Sequence, residues 1–349
     1  MKVMLAMSGG VDSSVAGAIL LDQGHDVVGV TMKLWGGESD TGCCSVSDVD
    51  DARRVAQQLD IDHLVFNFGD DFDAHVVDPY VRDHALGVTP NPCIECNRYL
   101  KFDRLLRRAD QLGFDAVATG HHARIRRDDR GVYHLERGAD ADKDQSYVVH
   151  MLDQESLART LFPVGDFHKA DLRARAAELG LRTASKPDSQ DVCFITSTGG
   201  RETFLGDRIA FRPGRVVDTD GALVGSVEAV EMVTIGQRRG LGLPGGGPKR
   251  YAVDVDVADA TVVVGADDDL LTDRLTVAAA TYTGDAVDGD VLVQCSAHGA
   301  THPAVVTSTG DGGVRVEWQA PQRRIAPGQS VVFYDPTDTR VLGGGVAAR

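Results

Sequence analysis

The stretch that decides the fold is Val3-Met4-Leu5-Ala6-Met7-Ser8-Gly9-Gly10-Val11-Asp12-Ser13-Ser14. Val3–Met7 is a short apolar run that reads as a buried strand. The segment from Ser13 to Leu21 reads as a helix, with Val15, Ala18, Ile19 and Leu21 apolar. Between them stand Ser8, Gly9, Gly10, Val11 and Asp12, and Ser13 and Ser14 open the helix. Glycines let the backbone approach a phosphate closely, and a helix N-terminus presents unpaired N–H groups with a partial positive charge. The string lacks the Gly-Lys-Ser/Thr ending of a Walker A loop. Asp12 sits awkwardly beside phosphates unless it binds Mg²⁺ or orients a donor.

Strand and helix signals keep alternating downstream. Asp26–Leu34 is β-rich, Asp48–Leu59 helical, His63–Phe68 β-rich, Leu100–Leu112 a basic amphipathic helix and Asp115–Thr119 a buried strand. That alternation predicts an α/β domain with a parallel sheet, whose ligands bind at the carboxyl ends of the strands. Beyond about residue 200, Gly, Asp and Thr punctuate short Val-rich runs, and helix signals nearly vanish. Those runs predict one or two small β domains after about residue 200, of barrel type.

The 349 residues carry a net charge of −16, with 42% hydrophobic and 25% charged residues. This composition excludes a disordered or collagen-like chain. The acidity argues against nonspecific nucleic-acid binding, which needs a basic footprint. No run of about 18 uncharged apolar residues occurs, so no spanning helix is expected. The apolar run at the N-terminus is too short for a secretory signal, which points to the cytoplasm. There the six cysteines stay mostly reduced. Arg98, Lys101, Arg104, Arg107 and Arg108 recur at helical spacing and form one stripe. That stripe is either a solvated face or a phosphate track.

Two further strings carry thiols. In Thr89-Pro90-Asn91-Pro92-Cys93-Ile94-Glu95-Cys96-Asn97-Arg98, Cys96 is expected just before a helix and beside Arg98 and Lys101. Such surroundings lower a thiol pKa and make it reactive. In Ser185-Lys186-Pro187-Asp188-Ser189-Gln190-Asp191-Val192-Cys193-Phe194, Cys193 is the second candidate. Cys43 and Cys44 read as packing residues, and Cys295 as an ordinary strand residue.

These strings, with Gly120-His121-His122, Lys143-Asp144-Gln145-Ser146-Tyr147 and Gly236-Gln237-Arg238-Arg239-Gly240-Leu241-Gly242, resemble the tRNA 2-thiouridylases of the PP-loop ATP pyrophosphatase superfamily. The likeness runs along nearly the whole chain. It implies an α/β fold with a PP-loop catalytic domain over 1–199, a small central β-rich, tRNA-binding domain over 200–266 and a C-terminal β-barrel over 267–349. It implies ATP, with Mg²⁺, held by Ala6, Met7, Ser8, Gly9, Gly10, Val11, Asp12 and Ser13, with Met32 and Gly120 at the adenine. The implied reaction adenylates the C2 oxygen of the wobble uridine of a tRNA. Cys193 then carries a persulfide sulfur, and Cys96 assists its transfer by forming a disulfide with Cys193. Asn91, Pro92 and Cys93 match the segment contacting the target base. His121, Lys143, Asp144, Gln145 and Gln329 match tRNA contacts. The partners so implied are tRNAs of the Lys, Glu and Gln types and a cysteine desulfurase or sulfur-relay protein.

Two departures stand out. Many family members carry Asp where this chain has Cys93, and an Arg-Tyr pair of some relatives falls here on Cys295-Ser296. The third thiol leaves open a [4Fe-4S] cluster on Cys93, Cys96 and Cys193. A small-molecule adenylating synthetase is a further alternative, although no ammonia-producing segment is present.

Overall fold

A computed structural model describes residues 1–35, 46–188, 192–195, 199–310 and 312–349. Cys43 and Cys44, expected to pack, lie outside the described residues. Five parallel strands form the first sheet: β1 (Lys2–Ala6), β2 (Asp26–Lys33), β3 (His63–Asn67), β4 (Ala116–Ala118) and, from farther along the chain, the two-residue strand Thr160–Leu161. Their order is β3, β2, β1, β4 and then Thr160–Leu161. Helix α1 (Val11–Asp22) links β1 to β2, and α2 (Val46–Gln58) links β2 to β3. Successive β1 side chains face opposite sides, as pleating requires. Val3 and Leu5 join the core beneath α1 and α2, while Met4 joins the core on the other face with Val30 and Met32. The chain winds outward from β1 to β3 and then returns to place β4 on the far side of β1. The crevice at that reversal is where such sheets bind ligands.

A hairpin follows, β5 (Ala123–Arg127) and β6 (Tyr133–Arg137). It was not expected from the sequence, and it does not join the parallel sheet. Strand β6 instead pairs antiparallel with Arg340–Ala347 at the other end of the chain, with Leu135 opposite Val341.

The two-residue strand Thr160–Leu161 is β7. The central region is a four-stranded sheet of β8 (Gly214–Asp218), β9 (Leu223–Val227), β10 (Tyr251–Asp256) and β11 (Thr261–Gly265). A tight turn over Asp218–Gly221 joins β8 to β9. The remaining strands are β12 (Leu271–Tyr282), β13 (Gly289–Gln294), β14 (His302–Ser308), β15 (Val314–Arg323), β16 (Ser330–Tyr334) and β17 (Arg340–Ala347). They pair in the order β12, β15, β14, β13, β16, β17, and β17 returns to β12, closing a six-stranded barrel. Closure removes the sheet edges. Strand β16 is buried along its whole length: Val331 and Phe333 fill the barrel core, and Val332 and Tyr334 enter the core of the α/β domain.

Candidate functional site

A cavity of about 460 Å³ opens at the carboxyl ends of β1 and β4. The loop leaving β1 forms one wall, through residues 6–8 and 10–13. Gly9 has φ +69°, and a Cβ there would lie 2.4 Å from the Asp48 carbonyl oxygen. Only glycine fits that turn. Gly10 caps α1 without any side-chain hydrogen bond to the helix amides. The Ser8 amide donates to Ser13 Oγ at 3.3 Å, and the two hydroxyls lie 3.4 Å apart. Ser14 turns away: it is fully buried, and its hydroxyl donates to the Gly10 carbonyl and accepts from Thr183. Gly120, at the end of β4, packs so closely on α1 that a Cβ would meet the Ser13 nitrogen at 2.7 Å. Met32 lines the same cavity from the end of β2.

Asp12 anchors the polar side. Its carboxylate accepts Lys169 Nζ at 2.6 and 2.8 Å and lies 3.1 Å from His122 Nε2. Burial would raise its pKa, but the hydrogen bonds from His122 and Lys169 outweigh that and hold it below the usual carboxylate range. Lys169 also pairs with Asp188 at 3.0 Å, and Asp188 takes Lys143 at 3.0 Å and Arg173 at 2.8 Å. Neither Lys169 nor His122 was singled out as a partner of Asp12 from the sequence. Lys169 lies 157 residues from Asp12, so no spacing signal could have joined them.

The thiols form another wall. Cys93, Cys96 and Cys193 all line the cavity. The helix expected to begin after Cys96 begins at Pro92, with Asn91 as its N-cap accepting the amides of Cys93 and Ile94 at 3.1 and 3.4 Å. Pro92 suits the first helical position, where its missing N–H costs nothing. Cys93 therefore occupies the first turn, and Cys96 lies one turn in, buried, at the start of a wide-wound stretch Cys96–Arg104. That winding, with more than the usual residues per turn, breaks up the expected basic stripe. Lys101 lines the cavity. Arg98 pairs with Glu95 and Arg107 with Asp103, while Arg104 and Arg108 lie over the rings of Phe68 and Phe66. Cys193 follows Val192, whose φ of +54° is costly for a β-branched residue. The Val192 amide donates to Cys93 Sγ at 3.4 Å. Phe194 then inserts among Trp35, Phe72, Tyr80 and Phe204, with ring centroids 5.1–6.1 Å away.

The other candidates divide by exposure. His121 is buried between Phe102 and Phe162 with Nδ1 2.6 Å from Thr119 Oγ1, and burial pushes its pKa well below 6.5. Asp144 is buried too, accepting Arg137 at 2.6 Å, the Gly138 amide at 2.8 Å and the Ser146 hydroxyl at 2.7 Å. Gln145 Oε1 holds the His122 amide at 2.9 Å. Residues 121 and 143–145 line the cavity. Gln329 stands behind the thiol wall, donating to the Thr89 carbonyl at 2.5 Å. The barrel reaches the cavity through Ala297 and His298, which no motif flagged. Cys295 beside them is a strand-end thiol that burial pushes up to about 12.

The cavity was tested as a metal centre. Among the described residues, no three Cys, His, Asp or Glu side chains converge to hold a metal ion. The three thiols share a wall of the cavity, and among the described residues they do not form a group that could hold a metal ion. Both oxygens of Asp12 are taken by Lys169. Among the described residues, no helix is long and apolar enough to cross a membrane.

A parallel α/β domain with a glycine-serine loop at its switch point, joined to two β domains, is the class of protein so defined. Residues 1–197 match the family described as "tRNA methyl transferase HUP domain", residues 202–266 its "PRC-barrel domain", and residues 272–347 the "Aminomethyltransferase beta-barrel domain". A tRNA-specific 2-thiouridylase MnmA of Roseiflexus castenholzii is 45% identical over 100% of this chain and 99% of its own length. One from Mycobacterium sp. (strain JLS) is 48% identical over 98% of this chain and 97% of its own length. Among solved structures, a 4-thiouridine synthetase–RNA complex with bound ATP aligns with 55% of this chain and 44% of its own, at 22% identity and a TM-score of 0.38. This chain belongs to the family of the tRNA-specific 2-thiouridylases.

Proposed function

We propose that this chain is an ATP-dependent tRNA 2-thiouridylase acting on the wobble uridine. The observation that carries the reading is one cavity walled by the 8–13 loop, by Asp12 and by Cys96 and Cys193. ATP, bound as its Mg²⁺ complex, enters with its phosphates toward Gly10 and Ser13 and its adenine toward Met32 and Gly120. The uridine C2 oxygen attacks the α-phosphate, expelling pyrophosphate and turning a poor leaving oxygen into AMP. Asn91, Pro92 and Cys93 border the incoming base, which must leave its stack to reach the nucleotide. The segments around His121, 143–145 and Gln329 face or support the side from which a tRNA would arrive.

Sulfur arrives as a persulfide on Cys193, loaded by a cysteine desulfurase or relay protein. Its terminal sulfur attacks C2 and displaces AMP. The Cys96 thiolate then attacks Cys193 Sγ, forming a Cys96–Cys193 disulfide and leaving the sulfur on uridine. Two thiols losing one electron pair balance the reduction of the sulfane sulfur, and an external thiol resets the disulfide. Methyl transfer, named in the family description, would leave the paired thiols without a task. The expected substrates are tRNAs of the Lys, Glu and Gln types, and the expected compartment is the cytoplasm.

The test is mass spectrometry of nucleosides. Unthiolated tRNA is incubated with the protein, Mg·ATP, a cysteine desulfurase and cysteine. The expected product is 2-thiouridine with AMP and pyrophosphate, lost in Cys96→Ser and Cys193→Ser. Absence of 2-thiouridine, with ATP bound and the donor active, would overturn the reading.

A further inference from the structure

We infer that Lys169 is a phosphate-binding residue of the nucleotide site, held by Asp12 and Asp188 until a polyphosphate takes its ammonium. The inference rests on the ATP-dependent reading above.

Lys169 opens the helix Lys169–Glu178, where Asp140 Oδ2 fixes its amide at 2.9 Å. Its side chain runs inward, and the residue is only 9% exposed. The ammonium has three protons, and three carboxylate oxygens accept them: Asp12 Oδ1 at 2.8 Å, Asp12 Oδ2 at 2.6 Å and Asp188 Oδ1 at 3.0 Å. A lysine this buried is retained only where its charge is matched.

Asp12 and Asp188 are shared among three cations, Lys169, Lys143 and Arg173. Lys101, Lys143 and Lys169 line the cavity together with Asp12, Asp142, Asp144 and Asp188, and the same cavity receives the first turn of α1, to which Asp12 belongs. A polyphosphate seated at that turn meets the Lys169 ammonium. An ammonium is a compact charge on a flexible stem, so it can pass from carboxylate to phosphate by a small rotation. Because Asp12 lies in the first turn of α1, Lys169 lies on the phosphate side of any nucleotide seated there. A cation on the departing pyrophosphate stabilises the charge that grows as it leaves.

The experiment is calorimetric titration of the full-length protein with Mg·ATP, with AMP and with pyrophosphate. In Lys169→Met, affinity for ATP and pyrophosphate should fall about tenfold or more, with AMP affinity within about twofold. Asp188→Asn, which removes one of the groups holding Lys169, should move ATP affinity upward and leave AMP unchanged. Equal losses for AMP and ATP in Lys169→Met, or unchanged ATP affinity, would overturn the assignment. So would an ATP affinity in Asp188→Asn that stays level or falls, a readout that remains if Lys169→Met does not fold. Wild-type protein that binds no ATP would remove the ATP-dependent reading itself and this inference with it.

Discussion

Replacing Phe194 with alanine should free Cys193 from the cavity wall while sparing the nucleotide site. Phe194 is 4% exposed, and four rings surround it. Truncating such a residue costs about 3–5 kcal/mol. The neighbouring backbone cannot make up that loss. Val192 sits at φ +54°, a conformation costing a β-branched residue about 1–2 kcal/mol. The hydrogen bond from its amide to Cys93 Sγ, at 3.4 Å, is a weak sulfur contact. At about 1.4 kcal/mol per tenfold, the population holding Cys193 in the cavity should drop roughly a hundredfold. Thiolation in a single turnover should fall by at least an order of magnitude. ATP binding, proposed above to use the loop 8–13, should change little. Alkylation of Cys193, followed by peptide mass spectrometry, should accelerate. Wild-type thiolation together with an unchanged alkylation rate would refute the claim that the aromatic cluster positions Cys193.

Two further predictions concern stability. Asp144→Ala should cost about 3–5 kcal/mol, because it leaves the partly buried Arg137 guanidinium with a vacant face and strips acceptors from Gly138 and Ser146; an unaltered urea midpoint would contradict that role. His150 is buried against β17, and burial pushes its pKa from 6.5 to about 4. Its neutral form is favoured by folding, so the unfolded chain takes up a proton first as pH falls below about 6.5. Stability should hold above that value and decline through the window down to about 4, by about 2 kcal/mol between pH 7 and pH 5 from this residue alone. Urea midpoints at the two pH values check it, and an imidazole that titrates near 6.5 by NMR would refute it.

The parallel sheet was legible because Val3, Met4 and Leu5 are apolar in succession, which a strand covered on both faces requires. The loop after β1 was legible because glycine and serine stand where a strand gives way to a helix. The helix start was misplaced by one turn: Asn91 was read as part of an extended lead-in, whereas its side chain caps the helix and puts Cys93 first. The stripe of basic residues assumed uniform helical winding, and the wide-wound stretch from Cys96 to Arg104 redirects its members. Lys169 and Asp188 were invisible as partners because their pairing depends on tertiary approach across 157 residues in one case and on a folded segment in the other. The hairpin β5–β6 was missed because Arg124-Ile125-Arg126-Arg127 carries too little apolar alternation to read as a strand. The two strands pair with each other from Ala123 opposite Arg137 to Arg127 opposite Tyr133, and β17 adds two pairs on β6.

The pairing of β6 with β17 ties the barrel to the α/β domain. Strand β6 extends the barrel sheet from within the α/β domain, and Arg137 at its end spans the junction. The guanidinium holds Asp144 at 2.6 Å on the cavity side and Asp338 at 2.8 Å and Gln294 at 3.0 Å on the barrel side, with the Tyr334 ring 3.8 Å away. On the other flank, the Thr89 amide donates to Pro327, and Gln329 donates back to Thr89. Asn91 and Cys93 follow directly on that anchored residue. The barrel therefore clamps both ends of the wall that carries residues 91–96 and 143–145. Cys93 and Cys96 belong by sequence to the first 199 residues, yet the segment that carries them is anchored by the last 83, through Pro327 and Gln329. Most of the net charge of −16 lies outside the cavity. Charges beyond about 10 Å are screened at ordinary salt, and inside it Lys101, Lys143 and Lys169 stand beside Asp12, Asp142, Asp144 and Asp188, with Asp12 and Asp188 already paired to lysines.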